Sequence, residues 1–163
     1  MTDKSNIGLT LYGVSGNPAT NNKAGMESLT FVQLKGVIDI PVFGVTHNSI
    51  AVPDTATGFD GSVKGAASGK DVPFTYRGDG TDTGIATAIV AAGIRPGSFT
   101  LKIVVGTGAD SGDGPIPVTG DVVQYAQGYL HNYEENAKNG TTFQGGSINF
   151  MQTAITVDDV EPS

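Results

Sequence analysis

Cysteine and tryptophan are absent from the 163 residues, and histidine occurs twice, at His47 and His131. Without a thiol there are no disulfide staples, no thiolate zinc sites and no cysteine nucleophile. Cationic side chains are few: nine Lys and Arg stand against 16 Asp and Glu, a net charge of −7. A protein that grips nucleic acid needs a basic stripe to displace counterions from phosphates, so that class is disfavoured. Long apolar runs are missing as well. Met1 to Ser5 is polar and leads into no apolar stretch of the ~7–15 residues of a secretory signal, and the ~18 of a membrane span occur nowhere. No membrane association is expected, and the chain is expected to stay soluble in a cytoplasm until it assembles.

What the chain has is glycine. The 24 Gly and 8 Pro make about a fifth of the sequence, below the ~25% that marks low complexity. With no internal repeat and no break in composition, residues 1–163 read as one domain of many short elements joined by turns. Ile7, Leu9 and Leu11 alternate and predict an N-terminal strand or arm, with residues 15–22 as a mobile turn cluster. Residues 29–45 predict two strands interrupted by Gly36 and by Pro41, which cannot donate to a ladder. Residues 47–58 are polar and read as a long loop. Residues 59–77 read as a hairpin turning at 65–70, with Val72, Phe74 and Tyr76 alternating on the return.

One helix is predicted, over about 81–92, from Ile85, Ala88, Ile89 and Ala92 at i, i+3, i+4 and i+7. Thr81 or Asp82 can cap it, and Gly93 is expected to close it in a left-handed conformation. Phe99, Leu101, Ile103 and Val105 alternate as a strand, and a loop of Gly, Asp, Ser and Pro occupies 106–120. Residues 121–134 and 142–157 form the longest hairpin, turning at Asn139-Gly140, with Tyr125, Tyr129 and Tyr133 on one face and Ala126 and Gly128 on the other. Residues 158–163 read as a loose acidic tail. The expected class is a mainly β sandwich or barrel of antiparallel strands with one short flanking α-helix.

Catalytic templates fail on particular residues. Gly65 to Asp71 approaches a phosphate loop but has one residue too few between its glycines and Asp71 where a magnesium-binding hydroxyl belongs. Gly106-Thr107-Gly108 opens a dinucleotide fingerprint that is followed by a Pro-rich loop instead of a helix. Ser15 lacks the second flanking glycine of a nucleophile elbow. Asp79, Thr81, Thr83 and Gly84 match the start of a calcium loop, but Val90 stands where the bidentate Glu is required. Asp110 and Asp113 read as a solvated turn rather than a cation site. Neither histidine has a spaced carboxylate or second histidine, so they read as surface groups. No catalytic residue, metal or cofactor is expected; the chain reads as a non-enzyme.

The pair of segments 31–36 and 37–46, the polar loop, Phe59-Asp60-Gly61-Ser62-Val63, Phe74-Thr75-Tyr76-Arg77, the helix, the strand 99–105, Gln127-Gly128-Tyr129 and Gly145-Gly146-Ser147-Ile148-Asn149-Phe150 together resemble the tail tube (major tail) proteins of long, non-contractile-tailed bacteriophages. The resemblance spans about residues 29–157. It implies protomers that join sheets into hexameric rings around an inner barrel, with rings stacking into the virion's tail tube. DNA would pass through the lumen without specific binding. The implied partners are further copies of the chain, a tape-measure protein, a tail tip and a terminator, and assembly would take place in the bacterial cytoplasm. It further implies inter-ring contacts at His47, Asn48, Ile50, Val52, Pro53, Asp54, Thr55 and Thr57, with residues 1–24 and 158–163 as additional bridges. The 106–120 loop is longer than that family leads one to expect.

The charge is suited to this, because a ring of acidic subunits repels the DNA backbone and lets it slide. Asp60, Glu134 and Asp39 are the carboxylates expected at the lumen, an outer-surface position being the alternative for each. Other readings are a tail terminator, a capsid-decorating protein or a contractile-tail tube subunit. A carbohydrate-binding β-sandwich with the tyrosine row as stacking platform is a further alternative, weakened by the lack of tryptophan.

Overall fold

In a computed structural model, which describes residues 8–163, the chain is mainly β and antiparallel, with two helices and, among the described residues, no closed barrel. Residues 1–7 of the expected N-terminal arm lie outside the described residues. In chain order the elements are β1 (Leu9–Ser15), α1 (Lys23–Glu27), β2 (Val32–Gln33), β3 (Val45–Val52), β4 (Gly61–Gly69), β5 (Asp71–Arg77), α2 (Thr83–Gly93), β6 (Ser98–Val105), β7 (Val122–Glu135), β8 (Gly145–Gln152) and β9 (Val157–Val160). Seven strands form one sheet in the order β2-β1-β6-β7-β8-β5, with β9 pairing the first part of β7 below the end of β8. β3 and β4 pair only with each other.

Both faces of the sheet are covered. On one lies the main core, where Leu11, Phe74, Phe99, Leu101, Ala126, Leu130, Ile148 and Phe150 meet Ile85, Ala88 and Ala91 of α2. On the other, Val104, Val123 and Tyr125 meet Met26 of α1 and Val157 of β9. The period of two assigns odd and even positions of β6 to different cores: Phe99 and Leu101 face α2, and Val104 faces α1. The tyrosine row is divided the same way. Tyr125 is buried in the second core, whereas a bulge between His131 and Glu134, with Asn132 at φ 51°, turns Tyr133 onto the α2 side. A bulge inserts one residue and reverses the facing of all that follow.

Several expectations are corrected. Residues 29–45 supply the two-residue β2, a single bridge from Val37 to Tyr76 and the first residue of β3; among the described residues no backbone–backbone hydrogen bond holds 39–43. Pro41 has no donor to offer. The 65–70 turn does not exist: β4 runs extended through it to Gly69, and β5 pairs with β8 instead of β4. The tail is not loose, since β9 is hydrogen-bonded to β7. Residues 9–15 form the strand that the alternation predicts, inside the sheet between β2 and β6, and the expected turn cluster leads into α1, whose first turn is capped by Asn22 accepting from Gly25.

The helix matches its prediction, with the Asp82 carboxylate accepting the Ile85 N–H at 3.2 Å. Its end does not. Gly93 is absent from the positive-φ residues, and the chain leaves the helix at Ile94 in an extended conformation. Gly93 has an ordinary backbone and open space around it, so Gly93→Ala is expected to stabilise the protein by about 0.5–1 kcal/mol, because alanine loses less entropy on ordering. A left-handed glycine would make the same change destabilising, and urea denaturation separates the two.

Candidate assembly interface

The sequence read as a polar loop at 47–58 is the first half of a two-stranded arm. β3 and β4 pair antiparallel from Val45–Gly69 at the root to Val52–Gly61 at the far end, with one irregularity between His47 and Ser49. Directly paired residues share a face of the ribbon. Ile50 with Val63 and Val52 with Gly61 therefore make one face apolar, while Ser49 with Lys64 and Ala51 with Ser62 make the other polar. Nothing in the described chain covers the apolar face: Ile50 is 54% exposed, Val52 45% and Val63 53%. An isolated two-stranded ribbon is at best marginally stable in water and needs a surface to bury against.

The tip is built by Asp54. Its carboxylate accepts the Ala56 N–H at 2.9 Å and the Thr57 hydroxyl at 2.7 Å, and these bonds hold it below the ordinary carboxylate range. Asp60 Oδ1 lies 3.4 Å from the Asp54 nitrogen, across the base of the turn. Phe59, beside it, is 80% exposed. The root is fixed more firmly. The buried Gln152 side chain accepts the Gly44 N–H at 2.8 Å and donates to Ala154 and Thr156, and Lys70 exchanges backbone hydrogen bonds with Gly44 and Gln152. A Cβ on Gly69 would stand 1.9 Å from the Gln152 carbonyl oxygen, so only glycine allows this approach.

The residues expected at inter-ring contacts are thus gathered on one element: His47, Asn48, Ile50 and Val52 on β3, and Pro53, Asp54, Thr55 and Thr57 in the tip, all exposed. The three expected lumen carboxylates are not brought together. Asp39 lies in the segment 39–43, which has no backbone–backbone hydrogen bond among the described residues, and accepts from Thr75 at 2.9 Å, Asp60 closes the arm tip, and Glu134 is exposed near the end of β7. The sugar-stacking platform is not formed, because Tyr125 is buried and Tyr133 faces the other core; Tyr129 keeps only a tilted contact with His131. Among the described residues no three acidic, histidine or cysteine side chains gather to hold a metal ion.

One constellation was not foreseen. Lys102, 8% exposed, places its ammonium 5.6–5.8 Å from the ring centres of Tyr12, Phe31 and Tyr125, and 2.7 Å from Glu161 Oε2. The signal in the sequence is a lysine inside a strand that is otherwise without charge. Asp159, with a side chain 5% exposed, adds a 3.1 Å pair to Lys23. These two pairs fasten the C-terminal strand over the second core. Burial pushes the Tyr125 phenol up to about 12.

Glu161→Gln leaves a buried ammonium without its counter-charge and is expected to cost about 3 kcal/mol in urea denaturation; Lys102→Met combined with Glu161→Gln is expected to recover most of that. Burial raises the pKa of Asp159, but the Val160 N–H and Lys23 outweigh it and bring it below the ordinary 3.8. A depressed carboxyl adds stability that is present above its unfolded value and lost as pH falls through the folded one. Below about pH 4, amide exchange in β9 is expected to accelerate relative to β6.

No protein-family model matches the chain, and no curated protein matches it. Among solved structures, one described as "Structure of a type six secretion system protein" is similar at 14% identity and a TM-score of 0.40, over 88% of this chain and 79% of that one.

Proposed function

We propose that this protein is a self-assembling structural subunit of a phage tail tube, in which copies form hexameric rings and the rings stack into a channel for DNA. The observation that carries the reading is the β3–β4 arm: a ribbon held rigidly at its root, apolar on one face and covered by nothing in its own described chain. Such a patch in a monomer is a liability for aggregation and suits a surface that assembly buries. The sequence resemblance to tail tube proteins supplies the geometry of rings and tube. The net charge of −7 fits a conduit that repels the duplex it carries.

In this reading the chain has no catalytic role, works in the virion, and meets its own copies together with tape-measure, tip and terminator proteins. Asp39, Asp60 and Glu134 are the carboxylates offered to the lumen. Negative-stain electron microscopy of the purified protein, dilute and then concentrated, tests it. Hollow tubes of stacked rings with a bore wide enough for a duplex are the expected result. Defined trimers, or a monomer that binds sugar, would overturn it in favour of a decoration or lectin-like role.

A further inference from the structure

The segment 38–43 poses a question that the arm answers. It is rich in strand-forming side chains, Ile-Asp-Ile-Pro-Val-Phe, yet it bends at Ile38 and Asp39 and forms no strand, with no backbone–backbone hydrogen bond at 39–43 among the described residues. Together with Ile103, Val105 and Val122 it walls a groove of about 690 Å³. Ile38 and Val42, at its rim, are 49% and 59% exposed. Its one acidic side chain, Asp39, already accepts a hydrogen bond from Thr75.

We infer that this groove receives the apolar face of the β3–β4 arm from another copy of the chain. The arm of the same subunit contributes no residue to the groove's lining. At ~3.3 Å per residue Ile50 lies about 20 Å along the strand from the fixed root at Gly44, whereas Val42 is about 7 Å from it. The surfaces match in kind: Ile50, Val52 and Val63 carry no charge to bury, and the outer edge of the arm and the 39–43 backbone each offer unpaired donors and acceptors. Arm and groove are different patches, so the contact is heterologous and propagates from copy to copy into rings or filaments. The arm face is about 26 Å by 10 Å, far below the ~800 Å² per partner of a stable complex. A single contact therefore dissociates readily, and the contacts hold when many are made together. This inference rests on the tail-tube reading for its assembled state and adds the receiving site.

The absence of cysteine makes a clean test. Val42→Cys and Ile50→Cys proteins, mixed and mildly oxidised, are expected to give a disulfide dimer whose yield rises steeply with concentration, while each alone gives at least tenfold less. A chain carrying both changes is expected to give a ladder on non-reducing gels. Ile38→Cys with Val63→Cys provides a second register. Homodimers formed as readily by Ile50→Cys alone would mean that arms pair with arms, and the inference falls. It falls equally if Val42→Cys bonds to Asn6→Cys within one chain, because the groove would then belong to the chain's own start. Tubes in the microscope with neither cysteine pair joining overturn the groove assignment and leave the tail-tube reading standing. No assemblies and no cross-links at any concentration overturn both.

Discussion

Ile50→Asp combined with Val63→Asp is expected to yield a folded monomer that no longer assembles. The two side chains are directly paired on the uncovered face of the arm and belong to neither buried core. Polar replacements at solvated positions shift stability by only about ±0.5 kcal/mol. With two changes, and two like charges directly opposite, the loss is about 1 kcal/mol, and the melting temperature is expected to fall by no more than about 4 °C, since 1 kcal/mol corresponds to ~2–4 °C at this size. Assembly is affected very differently. Each contact in a ring or tube would then bury two carboxylates against apolar walls, and an unpaired buried charge costs several kcal/mol. Repeated around a ring, that loss abolishes the polymer. Gel filtration and electron microscopy at a concentration where the parent protein assembles provide the check, and tubes formed by the variant would show that this face is not the one buried. Deleting residues 52–57 is expected to act in the same direction, because it removes the tip and the Val52 contact while leaving Gln152 to hold the root.

Gly128→Ala is expected to have the largest effect on stability. Gly128 sits in the middle of β7, opposite Phe99 on one side and Gln152 on the other. A Cβ there would lie 1.9 Å from the Met151 carbonyl oxygen and 2.9 Å from its carbon. These are backbone atoms of the neighbouring strand, and no rotamer change relieves the clash. β7 and β8 must move apart by about 1 Å before the contact becomes tolerable, which stretches the ladder bonds that join them, each worth about 1 kcal/mol net. Ordinary overpacking costs about 1–3 kcal/mol, and a loss of about 3 kcal/mol or more is expected here, or roughly 10 °C in melting temperature. Gly140→Ala, in the exposed connection with nothing near it, is expected to be neutral and serves as the control. Equal stability of the two variants would show that β7 and β8 have slack the packing does not suggest.

Local patterns are legible where one element decides its own structure. The helix can be read because four apolar side chains at helical spacing and a capping Asp82 all act within twelve residues, and they do so again in α2. β6 and the β7–β8 hairpin are legible for the same reason, since their alternation is strong and their partner is the next strand in the chain. The arm is hidden because a polar strand and a polar loop have the same composition. Residues 47–52 and 61–69 are polar or small on one face because that face meets water, and Ile50, Val52 and Val63 reveal the strand only when the two halves are aligned across the tip. Gly65 to Lys70 has the composition of a turn, yet Gly69 serves a close approach to Gln152, 83 residues away in sequence.

By itself, then, the sequence determined a cysteine-free, acidic, mainly β chain with one substantial helix, and it marked residues 47–58 as a polar segment. Those properties follow from composition and from periods of two and 3.6, which need no knowledge of distant partners. Only the tertiary structure decided that this segment is half of a two-stranded ribbon with a single apolar face, that residues 39–43 have no backbone–backbone hydrogen bond among the described residues beside a groove, and that Lys102 and Glu161 bind the C-terminal strand to the second core. Each depends on contacts between residues far apart in sequence, and in a sheet a shift of one residue in register reverses which side chains face protein and which face water.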